Sequence, residues 1–258
     1  MRRLIVEEPY AAPAVWSRRL AFFALVVAAI GVVSARSGLD PTPVLAIMGS
    51  SFAIACIAIL CAGAAIIVIW QTGRKGTGLL LAGLILASLL LGYPGFLAVQ
   101  AVRLPVLADV STDIDDPPAF GRSKNALAAR GGVTPEAVPT ELRHQQKQAY
   151  PNVQPIILDL DVYEAYKAVL KVANAKHWQI VEQVPPGPRS GGVGHIDAVV
   201  RGLVLGLRDD VTIRIRPLAG QTRVDMRSAS RIGRHDFGSN ASRIEQFAAA
   251  LQAEADSN

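Results

Sequence analysis

Charge is what this sequence has least of, and the shortage is local. Asp, Glu, Lys and Arg make up 18% of its 258 residues, against roughly a quarter in an ordinary soluble domain. Between Leu20 and Val102 the only charged side chains are Arg36, Asp40, Arg74 and Lys75. From Arg103 onward there are 19 basic and 18 acidic residues. This distribution excludes a single soluble globule, a disordered chain and a nucleic-acid binder driven by bulk charge. Cysteine is nearly absent: Cys56 and Cys61 share one apolar run, so there is no disulfide framework. The four histidines (His144, His177, His195 and His235) lack zinc-ligand spacing. There is no Gly-x-Ser-x-Gly elbow and no phosphate loop. Gly191-Gly192-Val193-Gly194 has neither the dinucleotide spacing nor a following helix. The sequence therefore points to no catalytic set, no metal and no cofactor.

What is present divides the chain in two. Three runs are apolar enough to cross a bilayer, which takes about 20 residues: Leu20 to Ala35, Val44 to Trp70 and Gly78 to Val102. The third carries Gly92, Pro94 and Gly95, read as a kink. Gly49, Ser50, Ser51, Ala53 and Ala55 are expected to let helices approach closely, and the two cysteines are expected to be spectators. No ionisable side chain interrupts the three runs, so no ion or proton path is expected. Arg2, Arg3, Arg18 and Arg19 precede the first run, and Arg74 with Lys75 lie between the second and third. The positive-inside rule then puts the amino terminus in the cytoplasm and the carboxy-terminal domain outside, in the periplasm of a bacterial inner membrane. Val33-Ser34-Ala35 has the small-residue look of a processing site, but the long leader with Glu7 and Glu8 favours a retained anchor.

The expected organisation is a membrane domain over 1–103, an irregular wrapping segment over 104–156 and an α+β soluble domain over 157–258. In the irregular segment a short helix is expected over Thr140 to Gln148. Asp161-x-x-Glu164 opens a capped helix running to about Ala175. Strands are expected over Trp178 to Val184, Ile196 to Arg201, Leu203 to Leu207, Val211 to Pro217 and Thr222 to Ser230, and Gly238-Ser239-Asn240 starts a final helix. This pattern predicts one antiparallel sheet of four to five strands covered by two helices. Val211, Ile213 and Ile215 alternate with Thr212, Arg214 and Arg216, while Val224 and Met226 alternate with Arg223, Asp225 and Arg227. Pairing Pro217 with Thr222 places Arg214 opposite Asp225, Arg216 opposite Arg223, Ile213 opposite Met226 and Ile215 opposite Val224. Both faces agree in this register, and a one-residue slip would invert them.

Arg214, Arg216, Arg223 and Arg227 around a single Asp225 leave surplus donors for a carboxylate, a phosphate or a lipid headgroup. The plainer expectation is a solvated sheet face with weak cross-strand pairs. A second polar concentration, Ser228, Ser230, Arg231, Asp236 and Asn240, precedes a helix amino terminus that favours anions. Its plainer reading is helix capping with an Asp236–Arg ion pair. The acidic run Asp109 to Asp116 fails as a calcium loop: counted from Asp109, Ile114 stands where glycine is needed and Phe120 where glutamate is needed.

The strings DVSTDIDDPPAF (Asp109 to Phe120), AYPNVQPI (Ala149 to Ile156), DDVTIRIRP (Asp209 to Pro217) and VDMRSASRIGRHDFGSNASRI (Val224 to Ile244) together resemble domain-of-unknown-function family 1499. The resemblance covers about Leu104 to Leu251 and leaves the membrane helices aside. It implies a bacterial or plastid-type envelope setting and no particular reaction. Where that family often has Ser-Asp-Leu-Gly, this chain has His235-Asp236-Phe237-Gly238. The expected function is non-catalytic binding of an anionic envelope component or a partner protein. The alternative is a hydrolase or transferase acting on an envelope substrate through Asp116, Asp209 or Asp236. Expected partners are the lipid bilayer and an anionic lipid, cell-envelope ligand or membrane protein, with no nucleic acid.

Overall fold

The computed structural model describes residues 9–136 and 138–257. Arg2, Arg3, Glu7 and Glu8, which carry part of the orientation and leader arguments, lie outside the described residues. The chain divides into two compact units, Met1–Val99 and Gln100–Asn258.

Among the described residues, the first unit holds three helices long and apolar enough to cross a membrane, α1 (Ala12–Arg36), α2 (Pro41–Thr72) and α3 (Thr77–Arg103). Each is longer than its apolar run, because the residues flanking the run continue the helix. Pro94 lies inside α3 and does not end it. The helices meet along alanine seams: Ala21, Ala24, Ala55, Ala58 and Ala87 form one buried cluster, and Ala11, Ala14, Ala62, Ala65 and Leu80 another. Side chains this small let backbones approach and supply van der Waals contact where lipid offers no hydrophobic gain. Of the small residues expected at the interface, Ser51 and Ala55 are buried, whereas Gly49, Ser50 and Ala53 face outward. The 3.6-residue period selects the seam, and clustering in sequence does not. Gly83 is the tightest approach, since a Cβ there would strike Ser17 Oγ and lie 2.8 Å from the Arg18 backbone nitrogen. Cys56 is exposed on the outside of the helices and Cys61 is half-buried.

The second unit is a six-stranded, wholly antiparallel sheet with four helices: β1 (Asp109–Ser111), α4 (Lys124–Ala129), α5 (Thr140–Ala149), β2 (Ile156–Leu158), α6 (Val162–Ala175), β3 (Gln179–Val184), β4 (Gly194–Arg201), β5 (Arg208–Leu218), β6 (Gln221–Ser230) and α7 (Ser239–Ala255). Strands β3, β4, β5 and β6 follow in sequence, and β1 and β2 share the free edge of β6 at Arg227–Ala229 and Thr222–Val224. The β5–β6 register is the expected one, from Pro217 opposite Thr222 through Arg214 opposite Asp225. Gly220, with φ +77°, closes the two-residue turn.

Three expectations change. Leu203 to Leu207 is a turn joining β4 to β5 and not a strand, because Gly202 precedes it and Gly206 within it takes φ +64°. The wrapping segment contributes β1 and the chain reaches β2 just beyond the prolines, which raises the sheet to six strands. Three-residue strands are too short to show alternation in sequence. The wrapping segment also holds the short helix α4, which Ser123 Oγ caps by accepting the Ala126 N–H at 3.2 Å.

Packing follows the alternation. Val211, Ile213, Ile215, Val224 and Met226 are fully buried against α6 and α7, whose Val169, Ile244, Phe247 and Leu251 fill the core. Trp178 stacks on Phe247 at 5.1 Å. Asp161 caps α6 by accepting the Tyr163 and Glu164 N–H groups at 2.7 and 3.0 Å.

Candidate functional site

The opposite face of the sheet is polar, and residues 112–136 lie across it. The arginine face is therefore covered, not solvated. Its surplus donors meet the acidic run that precedes them by about a hundred residues. Asp225, fully buried, accepts from Arg214 (3.2 Å), Arg216 (2.9 Å) and Arg223 (2.8 Å). Asp113 accepts from the same three at 3.3, 3.4 and 2.7 Å. Asp116 closes the group against Arg214 at 2.8 Å and Arg216 at 3.6 Å, with its own side chain 70% exposed. Three guanidiniums and three carboxylates thus balance. Asp225 and Asp113 each bridge all three arginines, which a surface ion pair does not do.

Arg227 belongs to a different group. Asp109 binds it through both carboxylate oxygens, with Nε at 2.9 Å and Nη2 at 2.7 Å. Its Nη2 also donates to the Glu136 carbonyl at 2.7 Å, and its guanidinium lies 5.0 Å from the Phe120 ring centre. Burial raises the Asp109 carboxyl above its ordinary range, with Arg227 acting against that rise and the Asp236 charge adding to it.

The turn before α7 is a capping network. Asp236 accepts the Gly238 N–H at 3.0 Å and the Asn240 N–H at 2.8 Å. These backbone donors take the place of the expected Asp236–Arg pair. Asn240 Nδ2 donates to Ser230 Oγ (3.0 Å) and the Ala108 carbonyl (3.1 Å), and its Oδ1 accepts from Ser228 Oγ at 2.7 Å. Arg231 is held by Asp210 (2.7 Å), and Arg243 by Asp209 (2.5 Å). His235 Nδ1 accepts the Phe237 N–H at 3.0 Å, a role that a hydroxyl oxygen at that position also fills. Phe237 and Gly238 both take positive φ, 54° and 82°, which turns the chain into the helix. Burial, with Asp236 and Glu245 nearby, pushes the Tyr150 hydroxyl up to about 12.

A group that the sequence reading missed sits at the β3–β4 end of the same face. His195 and Asp197 alternate onto it from β4, and Glu182 faces Asp197 from β3. One ligand-type atom from each lies within 4.8 Å of the other two. Asp197 is fully buried. Its Oδ2 accepts the Gly121 N–H at 2.8 Å and Arg130 Nη1 at 2.9 Å, and Arg130 also donates to the Gly121 carbonyl. Burial opposes ionisation of Asp197, but His195, Thr212 and Arg130 outweigh it and hold the carboxyl below the usual carboxylate range. The signal was an i, i+2 pair on a strand. Glu182 was hidden by a register shift between Ile180 and Glu182. A regular ladder would have put Val181 opposite Asp197 and turned Glu182 toward the core.

The candidates therefore fall into three places: Arg214, Arg216 and Arg223 with three aspartates, Arg227 with Asp109, and Ser228, Ser230, Arg231, Asp236 and Asn240 around the α7 amino terminus. Asp116, Asp209 and Asp236 are not brought to a common point; each has its own partners. A search of curated proteins finds no match. A family model described as "Protein of unknown function (DUF1499)" matches residues 109–251, from β1 into α7 and over more than half of the chain, and the chain belongs to that family.

Proposed function

We propose that this chain is a multi-pass inner-membrane protein whose carboxy-terminal domain lies in the periplasm and binds, without catalysis, an anionic envelope component at Arg214, Arg216 and Arg223. The observation that carries the reading is Asp116. It is the one carboxylate of the balanced cluster that stands mostly in water, and it closes on Arg214 and Arg216 from a loop. Arg216 and Arg223 keep 31% and 28% of their side-chain surface exposed. A phosphate or carboxylate of a lipid headgroup, a wall component or an acidic partner protein takes the seat of Asp116 and keeps the charge balanced. The separate partners of Asp116, Asp209 and Asp236 favour binding over hydrolysis or group transfer, which needs an acid and a base within reach of one substrate.

The full chain in detergent, titrated with inorganic phosphate, tests the site. Asp116→Ala should bind phosphate more tightly than wild type, and Arg216→Ala with Arg223→Ala should abolish binding. Equal phosphate response in all three proteins would end the arginine reading. Placement is tested by Ser257→Cys in a background lacking Cys56 and Cys61: labelling of intact cells by a membrane-impermeant thiol reagent is expected. Labelling only after lysis would put the domain in the cytoplasm.

A further inference from the structure

We propose that Glu182, His195 and Asp197 bind one divalent first-row transition-metal ion, a site that goes beyond the arginine reading and shares no residue with it. Glu182 Oε2, His195 Nε2 and Asp197 Oδ1 are all buried, and none makes a hydrogen bond. His195 Nε2 and Asp197 Oδ1 are only 3.0 Å apart, yet the ring nitrogen is not directed to make a hydrogen bond with that oxygen. Unsatisfied buried polar atoms cost about 1–3 kcal/mol each, so three converging on one point call for a shared partner.

The charges ask for the same partner. Two carboxylates meet there, and Arg130 pairs with Asp197, as does His195 when it is protonated. Among the described residues no Lys or Arg pairs with Glu182. A dication supplies the missing positive charge without a protein side chain.

The ligand chemistry selects the class of ion. One imidazole nitrogen with two carboxylate oxygens suits zinc, manganese or iron(II), whereas magnesium and calcium prefer oxygen alone. Ligands about 2.1 Å from a tetrahedral ion lie about 3.4 Å apart, so modest side-chain rotation closes the present spread of up to 4.8 Å. Three protein ligands leave a position for water or an external group.

The surroundings are built for it. Arg130 and the Gly121 N–H occupy Asp197 Oδ2 and leave Oδ1 aimed inward, the orienting role that outer-shell partners play at metal sites. Position 121 has no room for a side chain: a Cβ there would strike Glu182 Oε2 and lie 2.9 Å from Asp197 Oδ2. The His195 side chain keeps 22% exposure, which gives an ion a way in.

The test uses the full chain in detergent, free of any affinity tag and stripped with chelator, titrated with Co2+. Visible d–d absorption saturating at one equivalent, and reversed by Zn2+, is expected. Because outer-shell changes alone cost about 10–100-fold in affinity, His195→Ala and the isosteric Glu182→Gln should each lose at least roughly tenfold. Trp178 fluorescence reports whether each variant is folded. Absence of a one-equivalent endpoint in the wild type, or unchanged affinity in a folded Glu182→Gln protein, would overturn the site.

Discussion

Asp225→Ala removes the one fully buried anion that three guanidiniums share, and its cost can be worked from the geometry. Arg214, Arg216 and Arg223 would then face only Asp113 and Asp116, leaving one positive charge unanswered. Breaking a buried pair by removing one partner costs about 3–5 kcal/mol. Arg216 and Arg223 retain enough exposure for water to recover part of that, so we expect about 3 kcal/mol, at the lower edge of that range. For a unit near 150 residues, each kcal/mol moves the midpoint by roughly 2–4 °C, which gives a loss of roughly 6–12 °C. Trp178 is the only tryptophan beyond the helices, so its fluorescence in a Trp16→Phe, Trp70→Phe background isolates the domain's transition. A second arm tests the cause: phosphate should restore stability to the variant, by about 2.7 kcal/mol at a hundred times its dissociation constant. A midpoint drop under about 2 °C, or a full drop that phosphate does not touch, would refute the view that Asp225 is the charge holding the three arginines together.

Three further outcomes follow from the same structure. Asp161 accepts two backbone N–H groups at the start of α6, and these hold its carboxyl below the usual range. The stabilisation is therefore present above the unfolded carboxylate value and lost as pH falls through the lower folded one, so the difference in thermal midpoint between wild type and Asp161→Ala should shrink on acidification below pH about 4. Tyr150, pushed up to about 12, contributes stability that is complete below pH about 10 and disappears as pH rises through about 12. Burial also raises Tyr166, so absorbance at the tyrosinate band should show late-titrating tyrosines whose amplitude falls, without disappearing, in Tyr150→Phe. Gly83→Val pushes a side chain into Ser17 and the Arg18 backbone, and should cost about 1–3 kcal/mol of overpacking, read as earlier aggregation of the detergent-solubilised chain on heating.

The sheet was legible wherever alternation ran long enough. Val211 to Arg216 and Arg223 to Arg227 fixed register and faces together, because only one pairing satisfied both. The capped start of α6 was legible because Asp161 and Glu164 stand three apart. What failed to show were features without period: three-residue β1 and β2, short α4, and the Leu203–Leu207 turn, whose apolar residues mimic a strand. The arginine cluster was visible but its partners were not, since Asp113 and Asp116 lie 98–110 residues away in the chain. Glu182 was out of reach for another reason, because a bulge that re-aims one side chain leaves no mark in composition.

The strap of residues 112–136 also decides what counts as a domain. A fragment beginning near Ile156 would keep every strand from β2 onward and most of the apolar core, and would look complete by secondary structure. It would nonetheless lose Asp109, Asp113 and Asp116 together with Arg130, which shifts the charge of one sheet face by two units toward positive. Such a fragment should stick to polyanions and column matrices, and that adhesion would be a product of the cut and not a property of the protein. During synthesis the order is reversed: the acidic strap emerges first and waits for its cations, so about a hundred residues must be made before the face can close. Pairings this distant favour slow folding, which makes the interval before the face closes the time when this domain is most exposed to capture by other chains.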